Sequence, residues 1–203
     1  MRLLVASRNR KKLAELQRIL DANLPDERVT LAGLDDLPPY DDVPETGLTF
    51  ADNALLKARE GVKHTGLPTV GDDSGLAVDL LSGMPGIFSA RWSGRHGDDE
   101  ANNALLLAQI ADMPDEHRRA AFVCVAALVL PDGRELTFEG RMPGRLLRSA
   151  RGSAGFGYDP LFVADGQTRT NAELTPDEKD LISHRGKALR ALAAFLQGHP
   201  AIA

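Results

Sequence analysis

The sequence contains a single cysteine and lacks an apolar run of membrane-spanning length. Cys124 lies within FVCVAALVL, which is typical of a buried apolar residue, and one cysteine cannot form an internal disulfide. The longest apolar run, Ala120–Leu130, is too short to span a bilayer, and Leu3–Ala6 is too short for the core of a signal peptide. We therefore expect a cytoplasmic protein without a membrane anchor.

An excess of positive charge is also missing, because the 203 residues carry a formal net charge of −5. A chain of this charge repels polyanions as a whole, so a general nucleic-acid binder is not expected. An anionic substrate must therefore meet a local group of positive side chains. The motifs HExxH, CxxC and Gly-x-Ser-x-Gly do not occur, which argues against zinc hydrolysis and a serine triad.

The chain does contain enough apolar material for a core, since 43% of its residues are hydrophobic. This content predicts a single domain over residues 1–203, built as one compact body or as two closely packed lobes. The sequence shows no internal repeat, low-complexity tract or separable linker.

Strands are predicted where apolar residues run together or alternate with polar ones. These segments are RLLVA at 2–6, the alternating Leu76, Val78 and Leu80, AAFVCVAALVL at 120–130 and RELTFEGRMPG at 134–144. The last two flank the turn PDG and predict a hairpin. Its first strand is too uniformly apolar to face water, so we place it at the centre of the sheet.

Helices are predicted by their start signals and by apolar residues three or four positions apart. The predicted helices are KKLAELQRIL with Leu13, Leu16 and Leu20 on one face, a helix capped by Thr49 and Asp52 that ends near Gly66, one capped by Asp98 that reaches about Met113, and one starting at Thr175, Pro176 and Glu178. The order of elements predicts an α/β fold, a mixed twisted sheet with flanking helices in two lobes around a cleft.

The segment SRNRKK at 7–12 joins the first strand to the first helix. Free N–H groups and the positive end of the helix dipole meet at such a junction, and the basic side chains add charge, so the segment is a candidate phosphate site. It lacks the glycines and the GK[ST] ending of a P-loop. A solvated basic turn is the alternative.

Two acidic segments, PETG with Glu45 and GDDSG with Asp72 and Asp73, are candidates for a metal site. Mg²⁺ accepts one or two carboxylates together with water and phosphate oxygens. If the strand from Thr69 continues through the two aspartates, their side chains point to opposite faces, so only one of them enters a given site. The composition of TVGDDSG also predicts a turn at the strand end, with the other aspartate as a turn-forming or supporting residue.

The C-terminal region supplies GFGYD and the cations Lys179, His184 and Arg185. Gly155 and Gly157 flank Phe156, an arrangement that allows an aromatic face to stack on a flat ligand; a core aromatic in a tight bend is the alternative. A surface histidine is the alternative for His184. Positions 179 and 185 are off-register on one helix, so contact with a single ligand requires a break between them, with Ser183 as a possible new cap.

Together, SRNRKK, ETGLTFADNALLKA, GDDSGLAVDLLSGMPGIFSARWSG, GSAGFGYDPLF and TPDEKDLISHRGKAL closely resemble the inosine/xanthosine triphosphate pyrophosphatase family over nearly the whole chain. The resemblance implies hydrolysis of non-canonical purine nucleoside triphosphates, such as ITP, dITP and XTP, to the monophosphate and pyrophosphate. It also implies a need for Mg²⁺, an elongated α/β fold with the site in a cleft between two lobes, and a homodimer.

The resemblance also implies roles for individual residues. Glu45 and Asp73 would bind Mg²⁺, and Asp73 would accept the proton of the attacking water. Substrate would be held by Ser7, Arg8, Asn9, Arg10, Lys11, Lys12, Ser74, Phe156, Gly157, Tyr158, Asp159, Lys179, His184 and Arg185. Arg8 stands where the family usually has glycine, which puts the geometry of the phosphate loop in question.

Two other functions are compatible with the same residues. One is a pyrophosphatase for other modified nucleotides, as in the similarly folded Maf-type proteins. The other is a nucleotide sensor without catalysis, against which the carboxylate pair argues, because phosphate binding alone gains nothing from acids beside the anion.

Overall fold

The computed structural model describes residues 1–7, 10–23, 29–37, 40 and 43–199. Within these residues the strands are β1 (Arg2–Val5), β2 (Thr30–Ala32), β3 (Thr69–Val78), β4 (Arg119–Val129), β5 (Glu135–Leu146) and β6 (Phe162–Ala164). The α-helices are α1 (Arg10–Asn23), α2 (Phe50–Thr65), α3 (Asp99–Gln109), α4 (Pro176–Ile182) and α5 (His184–Gly198). Short 3₁₀ segments occupy several of the connections.

The strands form one six-stranded mixed sheet in the order β2-β1-β3-β4-β5-β6. β1 runs parallel to β2 and β3, whereas β5 and β6 are antiparallel. The predicted hairpin is β4–β5, closed by hydrogen bonds from Leu130 N to Arg134 O and from Gly133 N to Leu130 O. The predicted α/β class and mixed sheet are thus confirmed.

Strand β4 lies inside the sheet and is buried on both faces. Cys124, Ala126 and Leu128 enter one apolar cluster with residues of α1 and α5, whereas Val125, Ala127 and Val129 join a second cluster with α2. The two-residue period of a strand sends alternate side chains to opposite faces. A strand covered on both faces needs apolar residues at every position, which explains its uniform sequence.

The capping signals select the helix ends as predicted. Thr49 Oγ1 accepts from the backbone N–H of Asp52 at the start of α2, and Gly66 ends that helix with φ of 66°. Asp98 caps α3 in the same way, and Thr175 caps α4 with Pro176 at its first position. Side-chain oxygens satisfy N–H groups that the first helical turn leaves without intrahelical partners.

The chain divides into two compact units. The first unit contains the described residues of Met1–Asp73, Cys124–Gly140 and Arg185–Ala203, and the second contains Ser74–Val123 and Arg141–His184. The second unit has its own apolar cluster, which includes Leu76, Leu106, Phe122 and Phe162. The division of β3 falls between Asp73 and Ser74.

Three boundaries differ from the prediction. TVGDDSG is part of the uninterrupted strand β3 rather than a turn, because ladder bonds to neighbouring strands outweigh the turn preference of Asp and Ser. Leu80 lies in a 3₁₀ segment (Asp79–Leu81), so the alternation ends at Val78. Helix α3 stops at Gln109 instead of Met113, with Ile110 as its C-terminal cap residue.

Candidate active site

Helix α2 packs unusually closely on strand β3 because both contribute small residues at the contact. A Cβ atom on Gly71 would strike the backbone of Ala54 and Ala58, and one on Gly61 would strike the side chain of Thr69. Ala54 and Ala58 are fully buried. This seam brings the polar residues beside the two alanines, Asn53 and Lys57, onto the same face of β3 as Asp73.

The pleat of β3 sends Asp72 and Asp73 to opposite faces, as the sequence predicts for a continuous strand. Asp73 contacts side chains of α2, whereas Asp72 contacts Lys12 of α1 and Arg185 of α5. Both aspartates are buried. Two adjacent residues of the same type therefore enter different surroundings.

Asp73 lies within a group of polar side chains on the α2 face of β3. Asn53 donates from Nδ2 to Asp73 Oδ2 over 3.0 Å. Lys57 Nζ is 3.8 Å from Asp73 Oδ1 and 2.5 Å from Glu45 Oε1, and it donates to the carbonyl oxygen of Asp72 at 3.1 Å. Glu45 and Asp73, predicted from sequence as partners, are thus gathered around one ammonium group.

The surroundings of Asp73 raise the pKa of its carboxyl. Burial raises the pKa of the Asp73 carboxyl above its ordinary value, and the Lys57 charge and the Asn53 hydrogen bond offset only part of that effect. Burial alone would lower the pKa of Lys57, but Asp73, Glu45 and Asp72 together raise it. Lys57 therefore remains a cation among the carboxylates.

Asn53 also ties the loop that carries Glu45 to the strand. Its Oδ1 accepts from the backbone N–H of Gly47 at 2.8 Å, while its Nδ2 binds Asp73. A Cβ on Gly47 would meet Asn53 Oδ1 at 2.7 Å, so glycine is needed for this close approach. One buried amide thus sets the position of the Glu45 loop relative to Asp73.

On the opposite face, Asp72 is surrounded by cations. Lys12 Nζ is 2.7 Å from Asp72 Oδ2, and Arg185 Nε is 3.6 Å from the same oxygen. Burial would raise the pKa of Asp72, but Lys12, Arg185 and Lys57 outweigh it and lower the pKa to about 2. The sequence patterns treat Asp72 as a turn-forming or supporting residue, and the structure makes it the anion that holds two cations together.

The predicted phosphate segment is described in part. Ser7 is half-buried, and its N–H donates to the Val5 carbonyl. Arg8 and Asn9 lie outside the described residues, so the effect of Arg8 on the loop stays a prediction. Arg10 and Lys11 begin α1, but the described structure does not include their side chains. Lys12 is thus the residue of this segment whose side-chain contacts are described. Ser74, also predicted to contact substrate, is a half-buried residue of β3 in the second unit.

In the second unit, Asp159 organises the glycine-rich loop. It is buried and accepts from Phe156 N at 3.0 Å, Lys179 Nζ at 2.5 Å and Asn171 Nδ2 at 3.2 Å. Gly155 has φ of 79°, and a Cβ there would collide with the Asp159 carboxylate. The loop conformation therefore depends on both the glycine and the buried acid.

Helix α3 holds the next peptide of the loop. Asp99 Oδ2 accepts from Gly157 N at 2.6 Å, and Asn103 Nδ2 donates to Gly157 O at 2.8 Å. Above this fixed backbone the Phe156 ring is 51% exposed, with Lys179 Nζ 5.0 Å from its centroid. The alternative of a core aromatic is therefore wrong for Phe156.

Tyr158 and His184 are buried instead of presented at the surface. Tyr158 belongs to the apolar cluster of the second unit, and its hydroxyl donates to the Ser89 carbonyl at 2.9 Å. His184 stacks on Phe122 with ring centroids 4.9 Å apart, so the surface alternative is wrong. The predicted helix break is confirmed, because α4 ends at Ile182, Ser183 is extended and α5 begins at His184.

The donor set around Asp73 fits a hard divalent cation. Glu45 and Asp73 place carboxylate oxygens 2.5 Å and 3.8 Å from the Lys57 ammonium. Carboxylate oxygens are the protein ligands that Mg²⁺ prefers. Among the described residues no group of three His, Cys, Asp or Glu side chains is arranged for a metal. Two carboxylates suffice for Mg²⁺, because water and substrate phosphate complete its coordination.

The sequence patterns do not single out Asn53 and Lys57, although both lie within ETGLTFADNALLKA. A signal was present in their spacing, since the two residues are four apart and each directly precedes one of the alanines, Ala54 and Ala58. In the part of the chain that the structure describes, no helix is both long and apolar enough to cross a bilayer.

The chain is similar to known proteins along nearly its whole length. A model of the Ham1 family matches residues 3–195. The dITP/XTP pyrophosphatase of Mycobacteroides abscessus is 62% identical over 197 residues, which cover 97% of this chain and 95% of that protein.

Two solved structures are also similar along almost the entire chain. The crystal structure of a nucleoside-triphosphatase / dITP/XTP pyrophosphatase from Mycobacterium abscessus has 63% sequence identity and a TM-score of 0.81, over 97% of this chain and 98% of that one. The Staphylococcus aureus Ham1 protein has 39% identity and a TM-score of 0.89, over 98% and 100% of the two chains. The family expected from the motifs is confirmed, and the chain belongs to the Ham1 family.

Proposed function

We propose that this protein hydrolyses non-canonical purine nucleoside triphosphates, including ITP, dITP and XTP, to the monophosphate and pyrophosphate in a Mg²⁺-dependent reaction. The observation that carries the proposal is the pair Glu45 and Asp73 around one cation, with Lys12 and Arg185 gathered on the other face of the same strand. Relatives about 60% identical are dITP/XTP pyrophosphatases. The nucleotide pool on which such an enzyme acts is cytoplasmic.

Glu45 and Asp73 would hold the Mg²⁺ ion. When bound, the ion would neutralise charge on the leaving pyrophosphate and lower the pKa of a bound water. Asp73 accepts the proton of the attacking water, a role typically worth about 10²- to 10⁴-fold in rate. In the metal-free protein burial raises the pKa of the Asp73 carboxyl, which favours proton acceptance. Asn53 fixes Asp73 Oδ2 and so orients the other oxygen.

The cations of the first unit would bind the triphosphate. Lys12 and Arg185 carry two positive charges against a substrate with about four negative ones, and Ser7 to Lys11 extend this basic segment. Asp72 keeps the two cations together before the nucleotide arrives. Its carboxylate would then share them with phosphate oxygens.

The loop of the second unit would contact the base. The exposed face of Phe156 is suited to stacking, while Gly157, Tyr158, Asp159, Lys179, His184 and Ser74 complete the proposed substrate-binding set. Hypoxanthine and xanthine present an oxygen at C6 where adenine has an amino group. A site that hydrogen-bonds O6 and N1–H leaves buried groups unpaired with adenine, a mismatch that can reject a substrate by about 10⁴-fold.

Product analysis tests the reaction directly. Purified protein is incubated with ITP and MgCl₂, and the products are separated by anion-exchange chromatography beside a reaction in EDTA. We expect inosine monophosphate and pyrophosphate with Mg²⁺ and no products in EDTA. Inosine diphosphate with phosphate, or no turnover, would contradict the proposal. ATP, GTP and modified pyrimidine nucleotides in the same assay test the substrate class.

We also propose that the protein is a homodimer. The family resemblance implies a dimer, and in the second unit Leu80, Met84, Phe88 and Leu105 are each more than one third exposed. These side chains are candidates for the contact, because large contiguous apolar patches mark interaction sites. Sedimentation velocity over a range of concentrations tests this; a species of 21.9 kDa at every concentration would contradict it.

A further inference from the structure

The Lys57 ammonium occupies the position between the two carboxylates that we propose as metal ligands. Its Nζ lies 2.5 Å from Glu45 Oε1 and 3.8 Å from Asp73 Oδ1. The backbone carbonyl of Asp72 accepts a further hydrogen bond from it at 3.1 Å. The Lys57 side chain is only 19% exposed, so the ammonium is an internal part of the site.

This placement has an electrostatic reason. Glu45 and Asp73 approach each other in a partly buried environment, where like charges repel more strongly than in water. Lys57 projects from α2 on the same face as Asn53 and brings one positive charge to both carboxylates. The ammonium therefore offsets the repulsion between the Glu45 and Asp73 carboxylates, as a bound cation would.

A divalent ion would compete with this ammonium for the same two carboxylates. Mg²⁺ binds carboxylate oxygens at about 2.0–2.1 Å, and a lysine held against Glu45 Oε1 would then face the ion at short range. Two cations so close repel each other in a partly buried site. A divalent ion held by Glu45 and Asp73 would therefore be opposed by the Lys57 charge.

We propose that Lys57 is a built-in counter-cation that holds the metal position in the nucleotide-free protein and keeps its affinity for divalent ions low. The inference rests on the proposed roles of Glu45 and Asp73. It assigns to Lys57 a positioning role: the lysine keeps the two carboxylates together, and the metal enters efficiently with an anionic nucleotide that compensates the added charge.

The test measures metal binding to nucleotide-free protein by Mn²⁺ electron paramagnetic resonance, with Mg²⁺ as competitor. We expect Lys57→Met to bind Mn²⁺ about tenfold more tightly than wild type, because removal of one nearby positive charge lowers the electrostatic cost. In metal-free buffer the variant should melt at a lower temperature than wild type, and MgCl₂ should raise its melting temperature more.

Matched variants separate charge from structure. Lys63→Met removes a lysine from the same helix that is 70% exposed and paired with Glu60, and it should leave Mn²⁺ affinity unchanged. Lys57→Gln replaces Lys57→Met if the latter fails to fold. Lys57→Arg keeps the charge and should retain the weak binding of wild type.

The outcomes distinguish the two proposals. If folded Lys57→Met or Lys57→Gln binds Mn²⁺ no more tightly than wild type, while Glu45→Gln and Asp73→Asn lose binding, the counter-cation role is wrong and the metal site stands. If Glu45→Gln and Asp73→Asn leave Mn²⁺ binding unchanged, the metal site and the role of Lys57 are both wrong.

Discussion

Asp72 and Asp73 are neighbours in strand β3, yet the pKa values of their carboxyl groups are shifted in opposite directions on the two faces of the strand. On the α2 face, burial raises the pKa of Asp73 despite Lys57 and Asn53. On the other face, Lys12 and Arg185 outweigh burial and lower the pKa of Asp72 to about 2. The number and distance of cations decide the direction, since Lys12 contacts Asp72 at 2.7 Å and Lys57 stays 3.8 Å from Asp73.

The opposite pKa shifts indicate different roles for the two carboxylates. A carboxylate whose charge is poorly compensated gains from accepting a proton or binding a cation, whereas one already paired with cations resists both. Asp73 is thus suited to chemistry and Asp72 to holding cations in place. Three substitutions test this difference, and a fourth tests the loop of the second unit.

The largest effect is expected for Asp73→Asn. The amide has nearly the same shape but cannot accept a proton, so kcat for ITP should fall by about 10²- to 10⁴-fold. Nucleotide binding, measured by calorimetry with a non-hydrolysable analogue, should largely persist. A variant with more than about one tenth of wild-type kcat would show that Asp73 is not the general base.

Asp72→Asn is expected to act chiefly on stability. It leaves the positive charges of Lys12 and Arg185 without their buried partner, which should lower the free energy of unfolding by about 3 kcal/mol in urea titrations. Because the pKa in the folded state, about 2, lies below the ordinary 3.8, the wild-type carboxylate stabilises the fold fully above pH of about 4. This advantage over the variant is lost as pH falls towards 2.

Asp73→Asn is the matched control for that measurement. Since burial raises the pKa of Asp73, ionised Asp73 is less favourable in the folded protein than in the unfolded chain. In metal-free buffer the neutral variant should therefore be as stable as wild type or more stable. If Asp72→Asn and Asp73→Asn lower the free energy of unfolding equally, the proposed difference between the two faces of β3 is wrong.

Lys12→Ala tests the cationic face in binding. Loss of a charged hydrogen-bond donor should cost about 1.5–3 kcal/mol of nucleotide affinity, seen as a KM for ITP raised about 10- to 100-fold with a much smaller change in kcat. Lys63→Ala, which removes an exposed lysine of α2, serves as control. A fall in kcat as large as that of Asp73→Asn would place Lys12 in the chemical step instead.

The smallest effect is expected outside β3, at Phe156. Phe156→Ala should weaken nucleotide affinity by about 1–3 kcal/mol if a base stacks on the exposed ring, whereas Phe156→Tyr should retain it. Binding of inorganic pyrophosphate, which has no base, should be unchanged in both variants. Equal affinity of Phe156→Ala and wild type for ITP would exclude stacking.

The helix ends, the strand period and the family follow from local sequence patterns. Thr49, Asp52 and Gly66 set the ends of α2, and Asp98 and Thr175 set the starts of α3 and α4, because capping involves residues only a few positions apart. The period of two in a strand predicts that only one aspartate of the pair enters a given site. The family follows from the long motifs, which need no structure to be recognised.

Other features depend on residues far apart in sequence, which local patterns do not bring together. Arg118 is fully buried and donates to the carbonyls of Ile110, Leu146 and Leu147, and its sequence context gives no sign of this. The exposure of Phe156 and the burial of His184 likewise reflect the packing around them.

The sequence by itself determined the fold class and the family, and the family resemblance implied Glu45 and Asp73 as metal ligands. Only the tertiary structure decided that TVGDDSG is a strand, that Asp72 holds Lys12 and Arg185, and that Lys57 lies between the proposed metal ligands. The reason is that small residues at the α2–β3 seam allow the helix to approach the strand closely. That approach brings Asn53 and Lys57 to Asp73, whereas α1 and α5 bring Lys12 and Arg185 to Asp72. Burial and these cations together set the direction of each pKa shift.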